Sequence, residues 1–324
     1  MRLRLVAAAA AIAGIMSGVP TAVSAQTYPD KSVRMVVAFG AGGTLDTLAR
    51  IVSQKLSEMW GQQVVVENRA GAGGNIGAAQ ASQATPDGYT LHFGAQTLAV
   101  NVTIQPHKGF DPVRDFEPVI FVGTAQDVLM VPPQFPVKTV PELIDYAKKR
   151  PGELNYASAG PGSSGHLATV LFSELTGVQL QHVPYNSLSQ GVMDIMSGRI
   201  SVWIVTLGGH LGNITSGKVR ALAVSGESRA EQLPNVPTFK EIGVPFVAET
   251  SWYGIFAPKG TPRAIIEKIN RDVNAVLAMP DVKARGATLG YRFAGGPPER
   301  LGALLKSEID KWAEIADKAH LAKR

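Results

Sequence analysis

Residues 160–165 read Gly-Pro-Gly-Ser-Ser-Gly, and His166 follows directly. Three chemistries could use such a stretch: dinucleotide binding, serine nucleophilic attack, or main-chain capture of an anion. Gly160, Gly162 and Gly165 meet the spacing G-x-G-x-x-G, with an apolar run before them and a helical pattern after. That fingerprint also needs an acid about 20 residues on, to bind a ribose hydroxyl. The zone concerned reads "LQHVPY", and Glu174 falls too early, inside the helix. A nucleophile elbow needs G-x-S-x-G; around Ser164 the last glycine is replaced by His166. His166 is too close in sequence to act as its base, which leaves His182 or His210 to be supplied by folding.

Anion capture needs only what is present. Glycine lets the backbone approach a ligand and adopt positive φ. The first turn of a helix leaves N–H groups without partners, and the helix dipole favours negative charge there. Ser163 and Ser164 add hydroxyl donors, and "GAGGT" at 40–44 repeats the arrangement with Thr44. A helix start gives an anion roughly 0.3–2 kcal/mol, and each hydrogen bond to a charged group about 1.5–3 kcal/mol. Four or five such contacts can offset the several kcal/mol of carboxylate desolvation and leave a micromolar dissociation constant, about −8 kcal/mol.

Other chemistries lack their residues. The chain has no cysteine, so disulfides, thiolates and cysteinyl metal sites are excluded. His92, His107, His166, His182, His210 and His320 show neither H-x-x-H nor H-x-x-x-H spacing, so no metal and no cofactor is expected. Asp111 and Asp115 flank a turn and read as its caps.

These turns need a scaffold, and 324 residues with 45% apolar content supply two lobes. Residues 1–25 read as a signal peptide: Arg2 and Arg4, an Ala-rich apolar core broken by Gly14, Gly18 and Pro20, then Val23-Ser24-Ala25 before a cleavage site. Their removal lowers the net charge from +5 to +3, too weak and dispersed for a nucleic-acid reader. The chain then alternates strand and helix. "SVRMVVAF", "QVVVEN" and "YTLHFGAQ" are strands without polar alternation, which points to helices on both sheet faces. Leu45, Leu48, Ala49, Val52, Leu56 and Met59 make one apolar helix face. "FEPVIFVGTAQDVLMVPP" reads as one long strand, and Thr139 as the N-cap of the next helix. The rhythm restarts with "ELNYAS", "LQHVPY", "ISVWIVT" and "VRALAVS", and ends in "SWYGIFAP" and C-terminal helices. Those helices need a surface, and the first lobe is the expected one. Lobe 1 is therefore residues 26–124 and 252–324, lobe 2 is 125–251, and two crossings form a hinge around a cleft. Both glycine turns lie at carboxyl ends of strands, where α/β sheets bind ligands, and are expected to face each other.

The stretches "YPDKSVRMVVAFGAGGTLDTLAR", "VVVENRAGAGGNIGA", "PDGYTL", "LNYASAGPGSSGHLA", "HVPYN", "GKVRALAVSGESR", "LPNVPTFKEIG" and "WYGIFAPKGTP" carry a resemblance. In that order, over nearly the whole mature chain, they resemble the Bug (TctC-type) receptors, extracytoplasmic solute-binding proteins of tripartite tricarboxylate transporters. The resemblance implies an α/β, type II periplasmic-binding-protein fold. It implies a carboxylate-bearing solute held between the lobes, partly through ordered waters, and delivery to membrane permease subunits by a periplasmic monomer. By position it implies a site of Gly42, Gly43, Thr44 and Asp46 in the first turn, and Ser158, Gly162, Ser163 and Ser164 in the second. Ala72 and Gly73 follow the second strand, and Gln96 and Thr97 the third. Tyr185 and Asn186 form the "PYN" turn, and Asp194 follows it.

This sequence departs from the family pattern in several places. Ala38 and Gly40 stand where prolines are usual, and Leu45 where a small hydroxyl is common. Asn186 stands in place of a cation, and Val205 in place of a frequent aspartate. The pocket is thus expected to be less charged and more apolar, suited to a monocarboxylate or an aromatic acid. Two other functions fit the same residues: a sensor that presents ligand to a membrane kinase, and an exported hydrolase using Ser164.

Overall fold

The computed structural model describes residues 28–105, 109–161, 163–185, 188–244 and 251–318. The expected signal peptide, and the site residues Gly162 and Asn186, lie outside them. Strands β1 (Val33–Val37), β2 (Val64–Asn68), β3 (Thr90–Ala95), β4 (Phe116–Ala125), β10 (Ser251–Pro258) and β11 (Tyr291–Phe293) form one sheet, in the order β11-β4-β10-β3-β1-β2. β1 pairs in parallel with β2 and β3, whereas β10 runs antiparallel to β3 and β4. The second group holds β5 (Asp127–Val131), β6 (Asn155–Ser158), β7 (Gln181–Pro184), β8 (Trp203–Thr206) and β9 (Arg220–Val224). β5 lies antiparallel between β8 and β9, β6 pairs in parallel with β7, and a bridge from Tyr156 to Val202 links the two pieces.

The apolar strands are covered on both faces. Val33, Met35 and Val37 pack with α1 (Thr44–Trp60) and α8 (Arg263–Ala278). Val36 points the other way, into a cluster with α2 (Asn75–Ser82), α3 (Thr97–Ile104) and α10 (Pro298–Lys318). The strand period of two splits one apolar run between two cores. α9 (Pro280–Thr288) adds Val282 to the first of these, so the C-terminal helices do cover the first sheet. In the second group, α4 (Val140–Lys148) and α5 (Ser164–Thr176) pack on one core, while α6 (Leu188–Ser197) and α7 (Leu211–Thr215) pack elsewhere around β8 and β5. Thr139 caps α4, accepting from the Glu142 N–H. Asp111 accepts from the Val113 and Arg114 N–H groups, and Asp115 from that of Asp111.

Three expectations need correction. The stretch 116–131 is two strands in two sheets, because the chain breaks at Gln126, whose Nε2 donates to the carbonyls of Ser225 and Ser228 at 2.6 and 2.7 Å. Met59 leaves the apolar face of α1 near its end and is 41% exposed. The stretch "NSLSQG" at 186–191 reads by sequence as a turn before the helix "VMDIMSG", yet α6 begins within it, at Leu188.

Asp127 opens β5 at this crossing and is buried. Ser251 at the second crossing donates to both its oxygens, at 3.1 and 3.2 Å. Burial pushes its carboxyl up to about 6, against the hydrogen bonds from Ser251 and Thr206. An acid raised in the folded state keeps its proton while the unfolded chain has lost it. Stability therefore falls as pH rises from about 4 to about 6. Asp127→Asn should raise the unfolding free energy at pH 7 by about 1–3 kcal/mol, with the gain fading between pH 6 and pH 4. Urea unfolding across that range measures it; a pH-independent difference would contradict it.

Candidate functional site

The first turn joins β1 to α1. Gly42 has φ +82°, a conformation that L side chains rarely adopt. Its N–H donates to Asp46 Oδ2 at 2.9 Å, as does Arg50 Nε. Asn68 Nδ2 donates to Asp46 Oδ1 at 2.9 Å and to the Phe39 carbonyl at 3.0 Å. Burial disfavours the Asp46 charge, but hydrogen bonds from Arg50, Gly42 and Asn68 outweigh it and hold the carboxyl below its usual range. Asp46 thus staples the turn rather than offering itself to a ligand. Gly43 caps α1 with no side-chain bond, which leaves main-chain N–H groups of that first turn for another acceptor. Thr44 begins the helix and shares a side-chain hydrogen bond with Tyr291.

The turn after β2 is built for the same task. Gly71, Ala72, Gly73 and Gly74 all have positive φ: +137°, +48°, +62° and +98°. Ala72 is the one non-glycine with positive φ among the described residues. Such strain persists only where the surroundings enforce it. Here Asn101 on α3 enforces it, donating to the Gly73 carbonyl and to Asn75 Oδ1, both at 3.0 Å. Successive turned-in peptides can make a concave nest of N–H groups; here those of Gly74 and Asn75 are used within the turn, on the Gly71 and Ala72 carbonyls. Gln96 and Thr97, both buried, bring β3 into α3, and the Gln96 N–H donates to the Trp252 carbonyl. Phe39, Gly74, Asn75, Thr97 and Asn101 line a narrow crevice. Asn101 Oδ1 lines it, buried and without a hydrogen-bond partner. That oxygen can only accept, so it suits a hydroxyl or a water, not a carboxylate oxygen.

In the second lobe Ser158 is fully buried. Its Oγ accepts from the Gly160 N–H at 3.0 Å and lies 2.6 Å from His182 Nε2, fixing the second turn from below. Ser163 caps α5, accepting from the His166 N–H, and Ser164 is the first helical residue. A Cβ at Gly165 would lie 2.6 Å from the Ile204 carbonyl, so only glycine lets α5 start against β8. Tyr185 donates to Asp194 Oδ2 at 2.8 Å, and Arg199 pairs with Oδ1 at 3.1 Å. Burial and then the Asp194 bond push the Tyr185 phenol up to about 12. Asp194, like Asp46, is a positioner.

The lobes touch here, though not glycine turn to glycine turn. A Cβ on Gly43 would sit 3.3 Å from Leu188 Cδ1, and one on Gly209 would sit 3.9 Å from Thr44 Oγ1. The first turn thus meets the start of α6 and the short 3-10 turn Leu207–Gly209, while Pro161 of the second turn meets Gln105, beyond α3. Cations of these segments are already paired: Arg50 with Asp46, Arg69 with Glu67, Arg199 with Asp194. The close serine–histidine pair is Ser158–His182, and a fully buried Oγ cannot reach a substrate carbonyl. His210 lies against Trp203 instead, the rings tilted at 52°, and burial lowers its imidazole to about 4.

The family model described as "Tripartite tricarboxylate transporter family receptor" matches residues 48–321. The chain belongs to this receptor family. A protein encoded in the tcbD–tcbE intergenic region of Pseudomonas sp. strain P51 is 41% identical over 289 residues, 89% of this chain and 86% of that one. BugT of Bordetella pertussis is 35% identical over 301 residues, 92% of each. Three solved structures share the architecture. The periplasmic binding protein BugD is 33% identical with a TM-score of 0.87, over 92% of this chain and 100% of its own. Rpa4515 of R. palustris, solved with adipate, is 36% identical with a TM-score of 0.87, over 91% and 99%. MatC of Rhodopseudomonas palustris, solved with malate, is 31% identical with a TM-score of 0.85, over 89% and 99%. The fold is thus the two-lobed α/β fold of periplasmic binding proteins. Family and fold are those of solute-binding receptors rather than enzymes.

Sequence reading missed Asn75, Asn101, Leu188 and Tyr291. Asn101 had a signal: an amide amid the apolar run "LAVNV" must find partners inside the fold. Ser158→Ala would strand the Gly160 N–H and a ring nitrogen of His182, for an expected loss of about 1–3 kcal/mol. Denaturant unfolding checks it; an unchanged midpoint would remove Ser158 as the support of the second turn.

Proposed function

We propose that this receptor captures a small organic acid in the periplasm by its carboxylate and delivers it to the permease of a tripartite tricarboxylate transporter. The observation that supports this most directly is the run of positive-φ residues 71–74 beside an α1 start capped only by glycine. Main-chain donors are presented, and the segment's own cations are committed elsewhere. On this reading Thr44, Gln96, Thr97, Ser163 and Ser164 are further donors at the cleft, while Tyr185, whose O–H is donated to Asp194, offers its oxygen as an acceptor. The first 25 residues are the expected export signal, cleaved after Ala25, and the described helices include none long and apolar enough to cross a membrane.

The ligand class is a monocarboxylate or an aromatic acid. Adipate and malate, the ligands of the two related receptors, each carry two carboxylates. A second carboxylate needs a second set of donors or a cation. Here the face opposite the first turn offers Leu188, while Phe39 and Leu45 flank that turn on its own side.

A thermal-shift panel of benzoate, short monocarboxylates, malate, adipate and citrate, followed by calorimetry, tests this reading. Benzoate-type or monocarboxylate binding tighter than citrate is expected, with the ligand recovered unchanged. Thr44→Val and Ser163→Ala should each weaken the best ligand about tenfold, the worth of one hydrogen bond to a charged group. Unaltered affinity in both variants would remove the two helix starts from the site.

A further inference from the structure

A line of amide hydrogen bonds runs from the strained turn of lobe 1 into lobe 2. Asn101 Nδ2 donates to the Gly73 carbonyl and to Asn75 Oδ1, each at 3.0 Å. Asn75 Nδ2 donates to Gln105 Oε1 at 2.6 Å. Gln105 Nε2 donates to the Pro161 carbonyl at 3.3 Å, across the lobes and into the second glycine turn. The orientation of each amide is fixed by the next, because a primary amide has donors only on nitrogen and acceptors only on oxygen. Asn101 must present nitrogen to the Gly73 carbonyl, so Asn75 accepts with its oxygen and donates onward, and Gln105 is left with its nitrogen toward Pro161. Each lobe places a helix along this line. α3 carries Asn101 and Val100 and ends beside Gln105, which caps it by donating its N–H to the Asn101 carbonyl. α5 follows the turn that holds Pro161. The bodies of the two helices meet through Val100 against Leu167 and Leu171, with Trp312 of α10 completing the cluster.

We infer that Gln105 is an interlobe latch: a positioning residue that couples the strained carbonyl at Gly73 to closure of lobe 2. Opening the cleft must break the Gln105–Pro161 bond and pull Leu167 and Leu171 off Val100 and Trp312. The apolar contact is non-directional and supplies adhesion. The amide line is directional and supplies register, so that closure on Pro161 also holds the 71–74 turn in its donor-presenting form. Asn101 and Asn75 are buried and bonded to one another, with Asn101 Oδ1 left over, whereas Gln105 sits at the rim, where its bond can open and re-form without stranding a buried group. The link to ligand holding rests on the anion-capture reading; the latch itself does not.

The absence of native cysteine makes the test direct. Spin labels on cysteines replacing Gln54 in lobe 1 and Lys149 in lobe 2, both exposed, report interlobe separation by pulsed dipolar spectroscopy. In the unliganded protein a closed population is expected. Gln105→Ala should lower the closed-to-open ratio about two- to tenfold, the worth of one exchanged hydrogen bond. Gln105→Glu keeps the acceptor for Asn75 but sets a carboxylate against the Pro161 carbonyl, and should open the lobes at least as far. Asn75→Ala, which frees Gln105 from its anchor, should give a smaller shift in the same direction. Unfolding midpoints near that of the parent would show that these are changes of lobe position and not of folding. Distance distributions of both Gln105 variants superposed on the parent would overturn the latch, as would a parent with no closed population. Calorimetry with benzoate on the same proteins addresses the capture reading separately: no heat from the parent would sink that reading while the distances still judge the latch.

Discussion

Main-chain N–H groups can hold an anion only if the peptide units that present them are already fixed, since each donor that must first be ordered loses conformational entropy on binding. Around the cleft that fixing is done from behind, by buried polar side chains. Asp46 grips the first turn through the Gly42 N–H, Asn101 grips the strained turn through the Gly73 carbonyl, and Ser158 grips the second turn through the Gly160 N–H. All three are nearly or fully buried. Their partners are backbone atoms of the turns themselves, so the Gly42 and Gly160 N–H groups are spent on holding those turns in shape. The glycines supply the conformations, and these three side chains select one.

The same logic explains why acids stand so near a site for an acid. Asp46 and Asp194 would repel a carboxylate if their charge were free. Each is instead neutralised by an arginine and consumed by donors, Gly42 and Asn68 in one case and Tyr185 in the other. Both carboxylates are thereby committed to holding the Gly42 peptide and the Tyr185 phenol in place. On the anion-capture reading, binding by neutral donors also leaves the protein free to release its cargo, because no close ion pair has to be broken. That suits a receptor that must hand on what it captures.

Lobe geometry enters through the two crossings. Gln126, Asp127 and Ser251 hold them together with hydroxyl and amide contacts, while the contacts across the cleft are few and chemically mixed. Leu188 on Gly43, Gly209 beside Thr44, and Gln105 on Pro161 each join one binding turn to the opposite lobe. On the anion-capture reading, ligand contacts and closure contacts share residues, so that occupancy and lobe position act on one another.

The βα rhythm, the apolar strands covered on both faces, the Thr139 cap and the ordered glycine turns were legible in the sequence, because hydrophobic period, capping chemistry and positive-φ demand are local properties. The strand from 116 to 131 was not divided correctly: both halves are apolar, and nothing local says that Gln126 turns from one sheet to the next. Asp46 and Asp194 were placed at the site by position, yet their role as tethers appears only when Gly42, Asn68 and Tyr185 are brought against them. Asn101 and Gln105, residues distant in sequence from the turns that they hold, acquire their meaning from α3 packing beside those turns. Sequence determined which segments could present donors to an anion. Tertiary structure alone decided which donors stay free, because that depends on which buried partner each one meets across the fold.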